Sequence, residues 1–184
     1  MLFPLKFKPK ESYHEAPRNF GARRDHGNRK HAGCDLYAAV ETPIMAVEDG
    51  VVLEAAPFYL GSWAVVVDHT SFVVRYGEVS KNIPPGVRPG QKVLRGQIIA
   101  HVGHLAKINM SMLHFEMYQG TGTGPLTNVR NRPYMRRSDL LDPTPYLDAA
   151  TLDAGGLGAM GETPLFAGFR DGSNQLRPWV VPFF

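Results

Sequence analysis

The sequence predicts an all-β fold, a mostly antiparallel sheet sandwich or partly open barrel with long loops and little helix. Two observations lead to this expectation. Short apolar or alternating stretches recur along the chain, and turns rich in Gly and Pro separate them, which is typical of β sandwiches and barrels. Before residue 138, no stretch keeps the spacing of an amphipathic helix for more than about two turns.

The expected strands follow one another in pairs. The pairs are residues 36–55 with a turn at Glu48–Gly50, residues 63–79 with a bend at Thr70–Ser71, and residues 93–102 with a turn at Arg95–Gly96. A last strand covers residues 111–118, and a short helical turn bounded by prolines covers residues 138–147. The basic segment 18–30 and the polar segment 121–137 are predicted to be surface loops, and such loops often border sites.

Residues 111–118 alternate as a half-buried strand does, because side chains two residues apart share a face. The expected core face carries Leu113, Phe115 and Met117, and the opposite face carries Met112, His114 and Glu116. This pattern places an imidazole between a thioether and a carboxylate. Glu116 is a candidate to orient His114 through a hydrogen bond, and a plain surface carboxylate is the alternative.

The length of 184 residues suits one domain with additional terminal segments. Residues 1–20 are expected to form an N-terminal arm or edge strand, and residues 21–148 the main domain. Residues 149–184 begin as a Gly-rich linker and continue as an aromatic segment. A disordered tail would hold few aromatic residues, so this segment is expected to pack on the domain.

Composition excludes several classes of protein. The net charge of +3 and the pI near 9.1 are mildly basic, but no dense Lys/Arg run contains interleaved aromatic residues, so nucleic acid is not an expected partner. No run of 18 apolar residues occurs, so no membrane span is expected. A single Cys excludes an internal disulfide. The first ten residues lack the apolar run and cleavage site of a secretory signal.

His31 and Asp35 are candidate metal ligands. Fully extended, the segment between them would span roughly 13 Å, too far for two ligands of one ion. A helix would bring them together, but Gly33 and the β-rich sequence that follows argue against one, so a bend at Gly33 is expected. Two imidazole nitrogens and one carboxylate oxygen form a zinc set with an open position. Cys34 lies between the two candidates, and we expect it to point into the core; the alternative is a thiolate ligand.

Matching segments in a fixed order extend the argument beyond any single motif. They are residues 23–24, 31–38, 42–46, 49–52, 65–69, 76–79, 90–93, 96–103 and 113–116. Together, from about Phe20 to Gly120, they resemble the lysostaphin/LytM-type zinc metallopeptidases, which are peptidoglycan endopeptidases. The resemblance implies a LytM-like fold and Zn²⁺ held by His31, Asp35 and His114.

Two positions depart from that family's pattern. The family carries a catalytic His where this chain has Met112, and another where this chain has Glu78. Met112 cannot donate a proton, but Glu78 can accept one, so Glu78 is the expected general base. His104 is a second catalytic candidate, in the place left by Met112, and His101 is a weaker one. The alternative for both is an ordinary loop or strand histidine.

The resemblance implies a zinc-dependent endopeptidase that hydrolyses peptide cross-links of bacterial peptidoglycan. The alternative is a catalytically inactive zinc-containing module that binds the cell wall or activates a partner hydrolase. The expected partners are peptidoglycan peptide stems, with a secretion apparatus or an immunity protein as further candidates. Action is expected in the periplasm or cell wall. Without a visible signal peptide, this implies cytoplasmic synthesis with non-classical delivery, as for an antibacterial effector, or a truncated leader.

Overall fold

The structure is a computed structural model, and it describes residues 1–153. Its strands, in chain order, are β1 (Arg23–Arg24), β2 (Arg29–Lys30), β3 (Cys34–Tyr37), β4 (Pro43–Met45), β5 (Gly50–Pro57), β6 (Trp63–Asp68), β7 (Val73–Val79), β8 (Lys92–Val93), β9 (Ile98–His101), β10 (Met112–Tyr118) and β11 (Leu140–Leu141). Helix in this part of the chain consists of a 3₁₀ turn at Asp25–Gly27 and α1 (Thr144–Ala149). The predicted all-β class with little helix is confirmed.

The main sheet has seven strands, in the order β11–β10–β7–β6–β5–β8, and β3 also pairs with β10. All of these pairings are antiparallel. Two further two-stranded sheets are formed by β1 with β2 and by β4 with β9. Strand β10 therefore has partners on both sides, because β7 lies along one edge of it and β3 and β11 share the other. No helix in residues 1–153 is long and apolar enough to cross a membrane.

The core face of β10 is the one that the sequence predicts. Leu113, Phe115 and Met117 are fully buried in the main hydrophobic core, and Cys34 of β3 is buried with them. Burying a side chain of this size contributes about 1.5–3 kcal/mol to the stability of the fold. Because a shift by one residue would expose all three apolar side chains, their burial also fixes the face on which the polar residues of β10 lie.

The N-terminal arm is attached to this core. Phe3 and Leu5 are fully buried, and the backbone N–H of Leu2 donates a 2.9 Å hydrogen bond to the Val47 carbonyl. The arm forms one isolated bridge, between Leu2 and Thr151. The division of the chain at residues 20 and 148 stays a prediction, and the predicted packing of the aromatic tail lies outside the described residues.

Two predicted strand pairs are wrong in their partners. The turn at Glu48–Gly50 connects β4 to β5 along the chain, but the two strands do not form a hairpin. Strand β4 pairs with β9, and β5 pairs with β6 and β8. The turn at Arg95–Gly96 likewise does not join a hairpin, since β8 and β9 belong to different sheets. The pair β6–β7, with its bend at Thr70–Ser71, is as predicted. Local turn residues identified the bends but not the non-local partners.

A β-bulge interrupts β7 next to the centre of the sheet. Trp63 pairs with Val79 and Val65 pairs with Tyr76, so β7 has one residue more than β6 over this interval. Tyr76 and Val79 both lie in the hydrophobic core. Strict alternation would put residue 78 on the core face as well, and the extra residue turns it to the opposite face. Glu78 occupies this position with a φ of 62°, a conformation that costs a non-Gly residue about 1–3 kcal/mol.

Candidate metal centre and cavity

Three buried side chains converge on one point above β10. His31 Nε2 lies 3.1 Å from Asp35 Oδ1, His114 Nδ1 lies 2.8 Å from the same oxygen, and the two ring nitrogens are 3.1 Å apart. Ligands of a tetrahedral zinc ion lie roughly 3.3 Å apart when metal–ligand distances are about 2.0–2.1 Å. The three atoms therefore have the spacing of one metal-binding group.

Backbone pairing brings these residues together. His114 of β10 is the direct partner of Asp35 of β3. The chain bends before β3 at Gly33, which allows His31 to reach back to Asp35. A Cβ at Gly33 would lie 2.4 Å from the carbonyl oxygen of Phe115, so only glycine allows this approach to β10.

Each of the three side chains has a second partner that fixes its orientation. His31 Nδ1 lies 2.8 Å from the backbone carbonyl of Asn19, and His114 Nε2 lies 2.8 Å from Glu116 Oε1. Both outer nitrogens face acceptors, so each ring can keep a proton on its outer nitrogen and offer its inner nitrogen to a metal ion. Arg24 donates a 3.3 Å hydrogen bond to Asp35 Oδ2 and leaves Oδ1 directed inward. Three electron-pair donors that face each other suit a divalent cation.

Glu116 is the centre of a buried ionic cluster. It receives hydrogen bonds from Arg75, Arg136 and Tyr118 in addition to His114, and it is fully buried. Burial alone would raise the pKa of this carboxyl, but His114 and the two guanidinium groups hold it well below its usual range. Glu116 therefore stays an anion that holds His114, and the predicted orienting role is confirmed over the alternative of a surface carboxylate.

The two histidines of the metal-binding group differ in how readily they hold a second ring proton. Burial disfavours the charged ring of His114, but its hydrogen bonds to Asp35 and Glu116 outweigh burial and raise its pKa to about 10. Burial, acting with the charge of His114, lowers the pKa of His31. His114 therefore keeps a second ring proton near neutral pH, and a metal ion at Nδ1 would have to displace it.

The centre opens into a cavity of about 660 Å³. One side of its lining is apolar and includes Phe58, Leu105, Ile108, Met110 and Met112. The Phe58 ring stacks on the His114 ring with centroids 6.1 Å apart. Gly77 allows this contact, since a Cβ there would lie 2.9 Å from the Phe58 ring. The four arginines of the lining are Arg24, Arg29, Arg75 and Arg136.

Glu78 lines the same cavity. Its side chain is 8% exposed, and its Oε2 atom is buried and unpaired among residues 1–153. Burial raises the pKa of this carboxyl to about 7, and the positive charge of His114 opposes only part of that shift. An unpaired carboxylate with a pKa near neutrality is suited to accept a proton.

The other candidates lie elsewhere. His104 is exposed, its Nε2 lies 3.2 Å from Asn109 Oδ1, and it does not line the cavity, so its catalytic role stays a prediction without support from its position. His101 belongs to β9, outside the cavity lining. Cys34 is in the core, as expected, and burial raises the pKa of its thiol to about 11.

Sequence reasoning missed most of the groups around the metal-binding residues. Arg75 had a visible signal, because a lone arginine stands inside the apolar stretch of β7 and must find an anion when buried. No sequence signal pointed to Arg136 or to the Asn19 carbonyl, since both belong to irregular segments whose contacts are set by tertiary structure. The expectation that segments 18–30 and 121–137 border the site is confirmed, as both contribute to the cavity lining.

Comparison with known proteins agrees with this geometry. The model of peptidase family M23 matches residues 29–126, more than half of the chain. The chain belongs to peptidase family M23. The region matched by the M23 model includes His31, Asp35, Glu78 and His114, and it ends before Arg136.

Two M23-related sequences are peptidoglycan DD-endopeptidases of Vibrio cholerae serotype O1. ShyA is 32% identical over 114 residues, which cover 59% of this chain and 26% of ShyA. ShyC is 30% identical over 130 residues, which cover 67% of this chain and 28% of ShyC. The M23 chain described here thus spans about a quarter of the length of these relatives.

A solved structure shares the M23 fold. The catalytic domain of the antimicrobial peptidase lysostaphin from Staphylococcus simulans superposes with a TM-score of 0.54 at 23% sequence identity. The match covers 71% of this chain and 90% of that domain. The predicted LytM-like fold is confirmed by this similarity.

Proposed function

We propose that this chain is a zinc-dependent endopeptidase that hydrolyses peptide cross-links of bacterial peptidoglycan, with Glu78 as its general base. The observation that carries the proposal is the buried Oε2 atom of Glu78, which is unpaired among residues 1–153 and lies in the cavity that contains the metal-binding group. The names of the relatives ShyA and ShyC support the substrate class. Action in the cell wall or periplasm is part of the same proposal.

The metal ion would be held by His31 Nε2, Asp35 Oδ1 and His114 Nδ1. Zinc bound there would supply Lewis acidity, which would polarise the scissile carbonyl and make water a better nucleophile. The chain's own contribution is to hold these three atoms in place through Arg24, Glu116 and the Asn19 carbonyl.

Proton transfer is assigned to Glu78. Its carboxylate accepts a proton from the attacking water and then donates that proton to the leaving amine, so the proton count balances over one cleavage. The bulge in β7 supports this role, because it directs residue 78 toward the cavity. The apolar wall that includes Phe58 and Met112 limits the water around the carboxylate and keeps its pKa high.

The decisive experiment measures metal content and new peptide ends on purified peptidoglycan for three proteins. Wild type should hold one equivalent of zinc and release products. Glu78→Gln should keep the zinc and lose about 10²–10⁴-fold in turnover, the usual contribution of a general base. His114→Ala should lose stoichiometric zinc. Unchanged turnover in Glu78→Gln would contradict the assignment of the base, and zinc without products in wild type would support a binding module instead.

A variant that restores the family pattern tests the same assignment from the opposite side. Glu78→His combined with Met112→His places imidazoles at both departing positions. If Glu78 is a working base, the double variant should gain little activity or lose some. A large gain over wild type would show that the natural residues do not support catalysis.

A further inference from the structure

Two arginines lie opposite each other on the β1–β2 ribbon. Arg24 and Arg29 are direct cross-strand partners, and both line the cavity. Directly opposed residues on antiparallel strands have Cβ atoms roughly 4.5–5.5 Å apart, and like charges at that distance are destabilising. An anion between the two guanidinium groups would remove this repulsion.

The two arginines differ in how far their charge is already neutralised. Arg24 contacts Asp35 Oδ2 at 3.3 Å, which ties the ribbon to the metal-binding group. Arg29 forms no ion pair or side-chain hydrogen bond with any group in residues 1–153, and its side chain is half-buried. Arg75 and Arg136 also face the cavity, but both are bonded to Glu116. Arg29 is thus the lining cation that stays available to a ligand.

The remaining lining directs an anion toward the ribbon. The wall with Phe58, Ile108 and Met110 offers no charge, and the lining carboxylates Asp35, Glu54 and Glu78 repel an anion. A carboxylate next to the reacting amide would therefore find its complementary charge at Arg29. An arginine fork matches a carboxylate in a bidentate arrangement, which gives geometric selectivity as well as attraction.

We propose that Arg29, assisted by Arg24, binds a carboxylate of the peptide substrate beside the scissile amide. This inference rests on the proposed function and narrows its substrate class to acidic peptides. The carboxylate is either a chain terminus or a side-chain group, because the chemistry of recognition is the same for both. Arg29 acts here as a specificity-determining residue and takes no part in proton transfer.

The test compares three forms of one synthetic cross-linked peptide of the peptidoglycan type. The first form has all carboxylates free, the second has amidated chain termini, and the third has amidated side-chain carboxylates. Binding of fluorescent forms is measured by anisotropy with zinc-loaded protein in the Glu78→Gln background, and kcat/KM is measured in the wild-type background. Arg29→Gln is compared with Lys30→Gln, its exposed neighbour on β2, which does not line the cavity.

The free-carboxylate peptide should bind about 10–100-fold more tightly than one of the amidated forms, the ratio expected for a charged hydrogen-bonded contact. The form that loses affinity identifies the source of the carboxylate. Arg29→Gln should erase this preference, Lys30→Gln should keep it, and Arg29→Lys should keep only part of it. Equal affinity of all three forms for the protein that retains Arg29 would overturn the proposal. An equal loss of affinity for all three forms in Arg29→Gln would overturn it as well.

Failure of the proposed function gives a different result. If the wild-type protein cuts none of the three peptides, the peptidase assignment fails while the anisotropy comparison still decides the role of Arg29. If the peptides are cut at equal rates and bound with equal affinity, the peptidase assignment stands and the carboxylate subsite is refuted.

Discussion

Glu78→Gln should stabilise the metal-free protein while it removes the proposed base. The carboxyl of Glu78 is buried without a hydrogen-bond partner in the described part of the chain, and its pKa is raised from 4.5 to about 7. The folded protein therefore holds this proton more tightly than the unfolded chain does. The contribution of Glu78 to stability is fully present below pH 4.5 and is lost as the pH rises through about 7. Glutamine keeps the shape of the side chain and does not ionise.

The size of the effect follows from the two pKa values. With 1.36 kcal/mol for each pKa unit, the free energy of unfolding of Glu78→Gln should exceed that of wild type by about 1 kcal/mol at pH 5 and by about 3 kcal/mol at pH 8. The difference should thus grow with pH, because only the wild-type protein must bury a charge at high pH.

The assay is urea unfolding of chelator-treated protein, followed by circular dichroism across this pH range. Glu41→Gln is the matched control, since Glu41 is exposed and does not line the cavity, and it should leave the free energy of unfolding close to that of wild type. A difference between Glu78→Gln and wild type that stays constant from pH 5 to pH 8 would refute the account of a buried, ionisable carboxyl.

Three further outcomes are expected. Glu116→Gln should weaken zinc affinity about 10–100-fold in a competition assay, because the anionic partner of His114 is lost; unchanged affinity would remove Glu116 from the metal centre. Gly33→Ala should lower the free energy of unfolding by about 1–3 kcal/mol, because the new methyl group meets the Phe115 carbonyl; a neutral result in urea unfolding would contradict that contact. Binding to peptidoglycan in pull-down assays should weaken as the salt concentration rises, because the charges on segments 18–30 and 121–137 are screened over about 8–10 Å near physiological ionic strength. Binding that does not depend on salt would argue against contact between these two segments and the cell wall.

The strand that carries His114 was predictable because its pattern is local. Alternation along β10 separates Leu113, Phe115 and Met117 from His114 and Glu116, and burial of the first set leaves one face for the second. The contact between His31 and Asp35 was predictable for a similar reason, since the chain must bend at Gly33 for the two side chains to meet.

Other features depend on parts of the chain that are distant in sequence. The partners of β4 and β5 could not be deduced from the turn at Glu48–Gly50, because a turn fixes a change of direction and not the strand that is met afterwards. The ion pair of Arg136 with Glu116 depends on how a long loop folds over β10. The bulge in β7 was also hidden, since its residues fit a regular strand pattern equally well.

The bulge at residue 78 has a consequence for how such a site can change over generations. The bulge is formed by the backbone of β7 and by its pairing with β6. Residue 78 therefore faces the cavity because of the backbone path, and not because its side chain is a glutamate. Mutation can therefore exchange the acid–base group at this position while the sheet around it keeps its pairing. An imidazole and a carboxylate would then be interchangeable occupants of one backbone-defined location, and a change between them would alter the working pH without a new fold.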